Sequence, residues 1–159
     1  EKLALLVDKK TTLTRNIIGK AVADSARFSV FNCFDHAIDG DALSACRALR
    51  HLQEEGTEPA ALVAAMAHQL RTLTQLKQFS ERGKMDDGIR ALRIQRKRQS
   101  AVSHRVQSTS KAQFQQWTKL ASQADLMSKS VDKENAWLLI EMVLLGLAGK
   151  PTATQNYHI

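Results

Sequence analysis

The amino-acid sequence predicts an all-α protein, a bundle of helices around one principal core. Three observations carry this prediction. Apolar residues recur at three- and four-residue spacing along most of the chain, and no stretch shows the sustained period-two alternation of a half-buried strand. Helix-boundary residues also fall where the periodic runs begin and stop: Asp41, Pro59 and Ser110 at starts, Gly56 at an end. At 159 residues the chain suits one main domain, and its 43% hydrophobic and 25% charged content is that of a globular protein rather than a disordered one.

The first apolar run, Leu3 to Val7, begins directly after Glu1 and Lys2, with no initiator methionine and no secretory leader. The chain therefore reads as a piece of a longer protein. Thr12 or Thr14 caps a second helix that carries Ile17, Ile18, Ala21 and Val22 on one side, and these two helices look like the tail of a preceding domain. A third helix, from about Ser29 to Ile38, presents Val30, Phe31, Phe34 and Ile38 as its apolar stripe before the break at Asp39, Gly40 and Asp41. The fourth turns Leu43, Cys46, Leu49 and Leu52 toward the core and stops at Gly56. Pro59 then opens a long helix, at the first-turn position where a missing amide hydrogen costs nothing. Its buried face is Leu62, Met66, Leu70 and Leu73.

After Phe79 the residues Ser80 to Lys84 and Asp86, Asp87 and Gly88 read as a polar connection, followed by a basic helix from Ile89 to Gln107. Ser110 and Gln113 form the S-x-x-Q pattern of a capping box, so a helix starts there and buries Phe114, Trp117, Ala121 and Ala124. The last helix, Ala136 to Ala148, has Glu141 as its one charge and should be covered on nearly every side. It is too short for a bilayer, which needs about 20 apolar residues, and reads instead as the anchor of the bundle. A flexible tail, 151–159, follows.

Searches for chemistry are mostly negative. The Gly-Lys pairs at Gly19, Gly83 and Gly149 lack the Ser or Thr and the leading glycine of a phosphate loop. The five histidines show neither His-x3-His nor zinc-like spacing with cysteine, and no Gly-x-Ser-x-Gly elbow occurs, so neither metal nor cofactor is expected. Asp86 and Asp87 are neighbours that do not aim at one substrate and read as a solvated turn. The two cysteines, Cys33 and Cys46, read as small core residues in a reducing cytoplasm.

Two features remain. The net charge of +7 fits anionic partners such as nucleic acid or acidic protein surfaces, and equally plain basic solubility, so charge alone does not choose. The first feature is the cationic cluster Arg90, Arg93, Arg96, Lys97, Arg98 and Arg105. That cluster is either a solvated face, the favoured reading, or a surface that neutralises phosphates without reading bases. Lys129 and Lys133, in the expected loop from Lys129 to Asn135, are further basic candidates to face DNA or a partner protein. The second feature is Glu141, a carboxylate in an otherwise apolar helix, for which Arg71 is a candidate structural ion-pair partner.

The order of elements adds what no single motif does. The run Val22, Ala23, Asp24, Ser25, Ala26, Arg27, Phe28, with Phe31 beyond it, resembles the passage from the AAA+ lid into the C-terminal domain of the delta subunit family of the bacterial DNA polymerase III clamp loader. Arg47 to Leu52 followed by Glu55, Gly56, Thr57, Glu58 and Pro59 resembles that family's hairpin and Glu-Gly-x-Glu-Pro turn. Gln69, Leu70 and Arg71 resemble its polar-apolar-Arg step, and Trp137 to Glu141 its closing helix; the resemblance spans residues 1 to 149.

The resemblance implies that 1–24 is the end of an AAA+ lid domain and 25–150 a helical collar domain. It further implies a non-catalytic subunit that helps load the sliding clamp onto primed DNA in the bacterial cytoplasm, with no membrane contact. Its collar partners would be the gamma/tau and delta-prime subunits, and the sliding clamp would be gripped by an N-terminal region outside this chain. The alternative is a basic helical module that binds nucleic acid, with the bundle as its support.

Overall fold

The computed structural model describes residues 30–131 and 133–151, and these form an all-α bundle with no strand. The expected first two helices, the lid segment 1–24 and the tail beyond Pro151 lie outside the described residues.

Helix α1 covers residues 30–38 and buries Val30, Cys33, Phe34, Ala37 and Ile38, the i, i+3, i+4, i+7, i+8 face of a helix. Phe31, expected on that stripe, stands beside it and is 37% exposed. Asp41 caps α2 (Ala42–Glu54), its Oδ1 accepting from the Ser44 amide at 2.9 Å. The buried face of α2 is Ala45, Leu49 and Leu52. Leu43, expected in the core, is 61% exposed, because at 3.6 residues per turn it lies about 200° around the helix from Ala45. Cys46 is half-buried, whereas Cys33 is fully buried and its thiol donates to the Ala45 carbonyl at 3.4 Å, joining α1 to α2. Gly56 ends α2 as expected, with φ +77° and amide bonds from Gly56 to Gln53 and from Thr57 to Leu52.

Helix α3 (Pro59–Glu81) is the organising element, about 35 Å long at 1.5 Å per residue, and packs against every later helix of the bundle. It buries Leu62, Met66, Leu70 and Leu73 as the spacing predicted, together with Val63, Gln69 and Leu76. Each such leucine contributes about 1.5–3 kcal/mol relative to an exposed one.

The polar connection is shorter than expected. Asp86 and Asp87 belong to the first turn of α4 (Met85–Ala91), where carboxylates complement the helix N-terminus. Gly88 is not a turn residue but a buried contact: a Cβ there would lie 2.8 Å from Leu76 Cδ1 and from Phe79 Cβ. The single basic helix expected from Ile89 to Gln107 is instead three pieces: the end of α4, a 3-10 turn at Arg96–Arg98, and α5 (Gln99–Ser108).

Helix α6 (Lys111–Ser128) begins with the predicted capping box, Ser110 Oγ accepting from the Gln113 amide at 3.2 Å and Gln113 Oε1 from the Ser110 amide at 2.9 Å. Phe114, Trp117, Ala121 and Ala124 are buried as expected, and the Phe114 and Trp117 rings meet edge-on with centroids 5.5 Å apart. Helix α7 (Lys133–Leu147) lies along α6 and also touches α2 and α3. It buries Trp137, Ile140, Val143, Leu144 and Leu147, yet Leu138 is 42% exposed, so one side stays open.

Candidate functional site

The basic segment owes its shape to the end of α4. The Arg93 amide bonds to the Arg90 carbonyl and the Ile94 amide to the Ile89 carbonyl, which is the hydrogen-bond pattern that usually places glycine at the helix exit. Here the left-handed position is held by Arg93, at φ +52°, a conformation that costs a side-chain-bearing residue about 1 kcal/mol or more. The chain reverses there, and Gln95 leads into the 3-10 turn that carries Arg96, Lys97 and Arg98.

This reversal sets Arg93, Lys97 and Arg98 along a groove of about 660 Å³ whose opposite wall is α3, with His68, Arg71, Thr72 and Gln75, and whose end is Phe31 of α1. Arg98 fixes the geometry: its Nη2 lies 2.7 Å from Asp35 Oδ1 on α1 and donates to Gln69 Oε1 on α3 at 3.3 Å. The contact with Asp35 is a close charge pair without hydrogen-bond alignment. Burial pushes the Asp35 carboxyl above its ordinary range, against the opposing pull of Arg98.

The six cations of the sequence cluster thus separate. Arg90 pairs with Asp87 on α4, Arg96 is exposed outside the groove lining, and Arg105 is buried within the bundle. The groove gains Arg71 and His68 instead, which sequence reasoning does not join to the cluster; their signal is the spacing of positions 68, 71, 72 and 75 on one face of α3. Lys129 and Lys133 lie apart from it. Lys129 Nζ sits 2.6 Å from Asp125 Oδ2, and Lys133 Nζ sits 2.7 Å from Glu58 Oε2. Lys129 caps α6 and Lys133 opens α7, so the loop expected up to Asn135 ends earlier.

Glu141 and Arg71 are not brought together. Glu141 lines a cavity of about 220 Å³ with Cys46, Arg50 and Trp137, between α2 and α7, while Arg71 faces the grooves along α3. Burial raises the Cys46 thiol, and the nearby Glu141 carboxylate, by its charge and by accepting a hydrogen bond from the thiol, raises it further. A second groove, about 800 Å³ and mostly aliphatic, runs between α3 and α6 past Ala67, Leu70, Ala121 and the 67%-exposed Leu126. Among the described residues no group of His, Cys, Asp or Glu is placed to hold a metal ion, and no helix is long and apolar enough to cross a membrane.

Fold and surfaces define an all-α helical bundle with open grooves lined by arginine, glutamine and aliphatic side chains. The family described as DNA polymerase III delta subunit, C-terminal domain, matches residues 27–147, and the chain belongs to this family. It is 29% identical over 154 residues to DNA polymerase III subunit delta of Escherichia coli strain K12, across 96% of this chain and 44% of that protein. The chain therefore spans less than half the length of that relative.

Proposed function

We propose that the chain is the C-terminal part of a clamp-loader delta subunit and that its bundle is the collar through which the subunit joins the gamma/tau and delta-prime subunits. The observation that carries this reading is the reach of the family match, since residues 27–147 take in every described helix from α1 to α7 rather than one short motif. In this reading 1–24 closes an AAA+ lid domain, 25–150 is the collar and 151–159 a tail. The module contributes assembly geometry in the bacterial cytoplasm rather than catalysis, and a region outside the chain grips the sliding clamp. The aliphatic groove between α3 and α6, with exposed Leu126 at its edge, is a surface suited to such packing. Mixed with purified gamma/tau and delta-prime subunits, the chain should co-elute with them from a sizing column; elution at its own unshifted volume would reject the collar role.

A second reading has a specific observation behind it, the cationic groove in which a strained arginine faces a second helix. Single-stranded DNA laid in that groove would contact Arg71, Arg93 and Lys97 through its phosphates. Fluorescence anisotropy with a short labelled oligonucleotide tests it. Arg93→Ala combined with Lys97→Ala should weaken binding and flatten the salt dependence by about one unit for each phosphate that is no longer neutralised; unchanged affinity would exclude the groove.

A further inference from the structure

Arg105 is 8% exposed, on α5, where its guanidinium lies against the C-terminal end of α7. Its Nε has no hydrogen-bond partner, and the side chain forms no ion pair among the described residues. Burial alone, with no neighbouring charge to offset it, lowers its pKa from the ordinary arginine value. A largely buried guanidinium whose Nε is unsatisfied and whose other nitrogens meet no protein acceptor among the described residues is costly, and folded proteins keep one where something else supplies the partner.

The guanidinium borders a cavity of about 560 Å³, walled by His104, Thr109, Gln116, Trp117 and Lys150, with no Asp or Glu in its lining. Gly149 makes room for it: a Cβ at that position would stand 2.9 Å from Arg105 Nη1. We infer that Arg105, with Lys150, forms a binding site for a carboxylate, the acidic side chain of a partner protein inserted beside Trp117. The planar fork of a guanidinium matches two carboxylate oxygens, and a lysine adds a point charge without demanding a second plane. Trp117, Gly146 and Pro151 supply an apolar flank for the methylenes of such a side chain. A nucleic-acid backbone would call for a row of cations, and the row in this protein lies elsewhere, along Arg93 and Lys97. The choice of a protein carboxylate rests on the collar reading, but the site itself can be tested with no partner present, so its failure and that of the collar reading are separable.

The test is thermal unfolding of the chain, followed by circular dichroism, in sodium glutarate, in inorganic phosphate, and in sodium chloride at matched ionic strength. Glutarate at about 100 mM should raise the midpoint by about 3 °C over chloride, and phosphate should raise it less. Lys150→Ala, a surface change, should reduce that rise. Arg105→Met should abolish it and should leave the ligand-free midpoint unchanged or higher, because it removes an uncompensated charge. The inference is overturned by the absence of a glutarate-specific rise, by a rise that persists in Arg105→Met, or by phosphate outperforming glutarate. A ligand-free midpoint lowered by Arg105→Met would overturn it too, since the guanidinium would then already be satisfied.

Discussion

Replacing Gly146 by alanine probes the seam between α6 and α7. In isolation the change favours the helix, by at most about 1 kcal/mol. In the folded protein the added Cβ would stand 2.4 Å from Trp117 Nε1, 2.8 Å from Cε2 and 3.0 Å from Cζ2, where contacts of about 3.5 Å or more are normal. The indole has little room to retreat, being 4% exposed and held edge-on by Phe114. The helices must therefore part by roughly 1 Å, an overpacking penalty of about 1–3 kcal/mol, and the net effect is a destabilisation of about 1–2 kcal/mol. Urea unfolding followed by far-ultraviolet circular dichroism measures it without relying on Trp117 emission. In a Trp117→Phe background the obstructing five-membered ring is gone, and the same glycine replacement should become neutral or stabilising. If Gly146→Ala stabilises the native background, or costs the same with phenylalanine at 117, the steric reasoning is wrong.

Ser110→Ala removes the hydroxyl that accepts from the Gln113 amide and should lower stability by about 1 kcal/mol, read from the urea midpoint at unchanged slope. Asp35 makes a pH prediction. Burial, only partly offset by Arg98, raises its carboxyl above 3.8, so the native state keeps this proton at pH values where the unfolded chain has lost it. The contribution of Asp35 to stability therefore declines as pH rises through the interval just above 3.8, and Asp35→Asn lacks that component. Denaturation at a series of pH values checks it, and a wild-type advantage over Asp35→Asn that grows with pH across that interval would contradict the sign.

What the sequence made legible was local. The capping box at Ser110, the proline start of α3, the glycine exit at Gly56 and the stripe through Leu62, Met66, Leu70 and Leu73 each depend on residues within a few turns of one another, and each is present. The failures involve partners distant in sequence. Gly88 carries the composition of a turn, but α3 is what needs its missing side chain. The helix break at Arg93 has no glycine or proline to announce it; the exposed arginine takes the left-handed region while its neighbours Leu92 and Ile94 pack against the core. Hydrophobicity alone places Leu43 inside, although the smaller Ala45 fixes which side of α2 faces inward. Glu141 needs a polar neighbour, and it is Cys46 on α2 rather than Arg71 on α3.

The net charge of +7 is not one surface property. Ion pairs engage Arg90, Arg98, Lys129 and Lys133, and two further groups of cations occupy separate places: Arg71, Arg93 and Lys97 around the groove, and Arg105 with Lys150 at the cavity beside Trp117. These places depend on different elements. Arg98 ties the groove to α1 and α3 through Asp35 and Gln69, so loosening α1 should disturb the groove first. The cavity at Arg105 is framed by α5, α6 and the end of α7 and depends on the Gly146 and Gly149 approaches, with the Gly40 turn after α1 near only the outer Nη2 of Arg105. Substitutions at Arg105 should consequently leave oligonucleotide binding unchanged, while Arg93→Ala with Lys97→Ala should leave the glutarate response intact. Loss of both responses from either change would mean that the two sites are one coupled surface, and the separation drawn from their framing helices would fail.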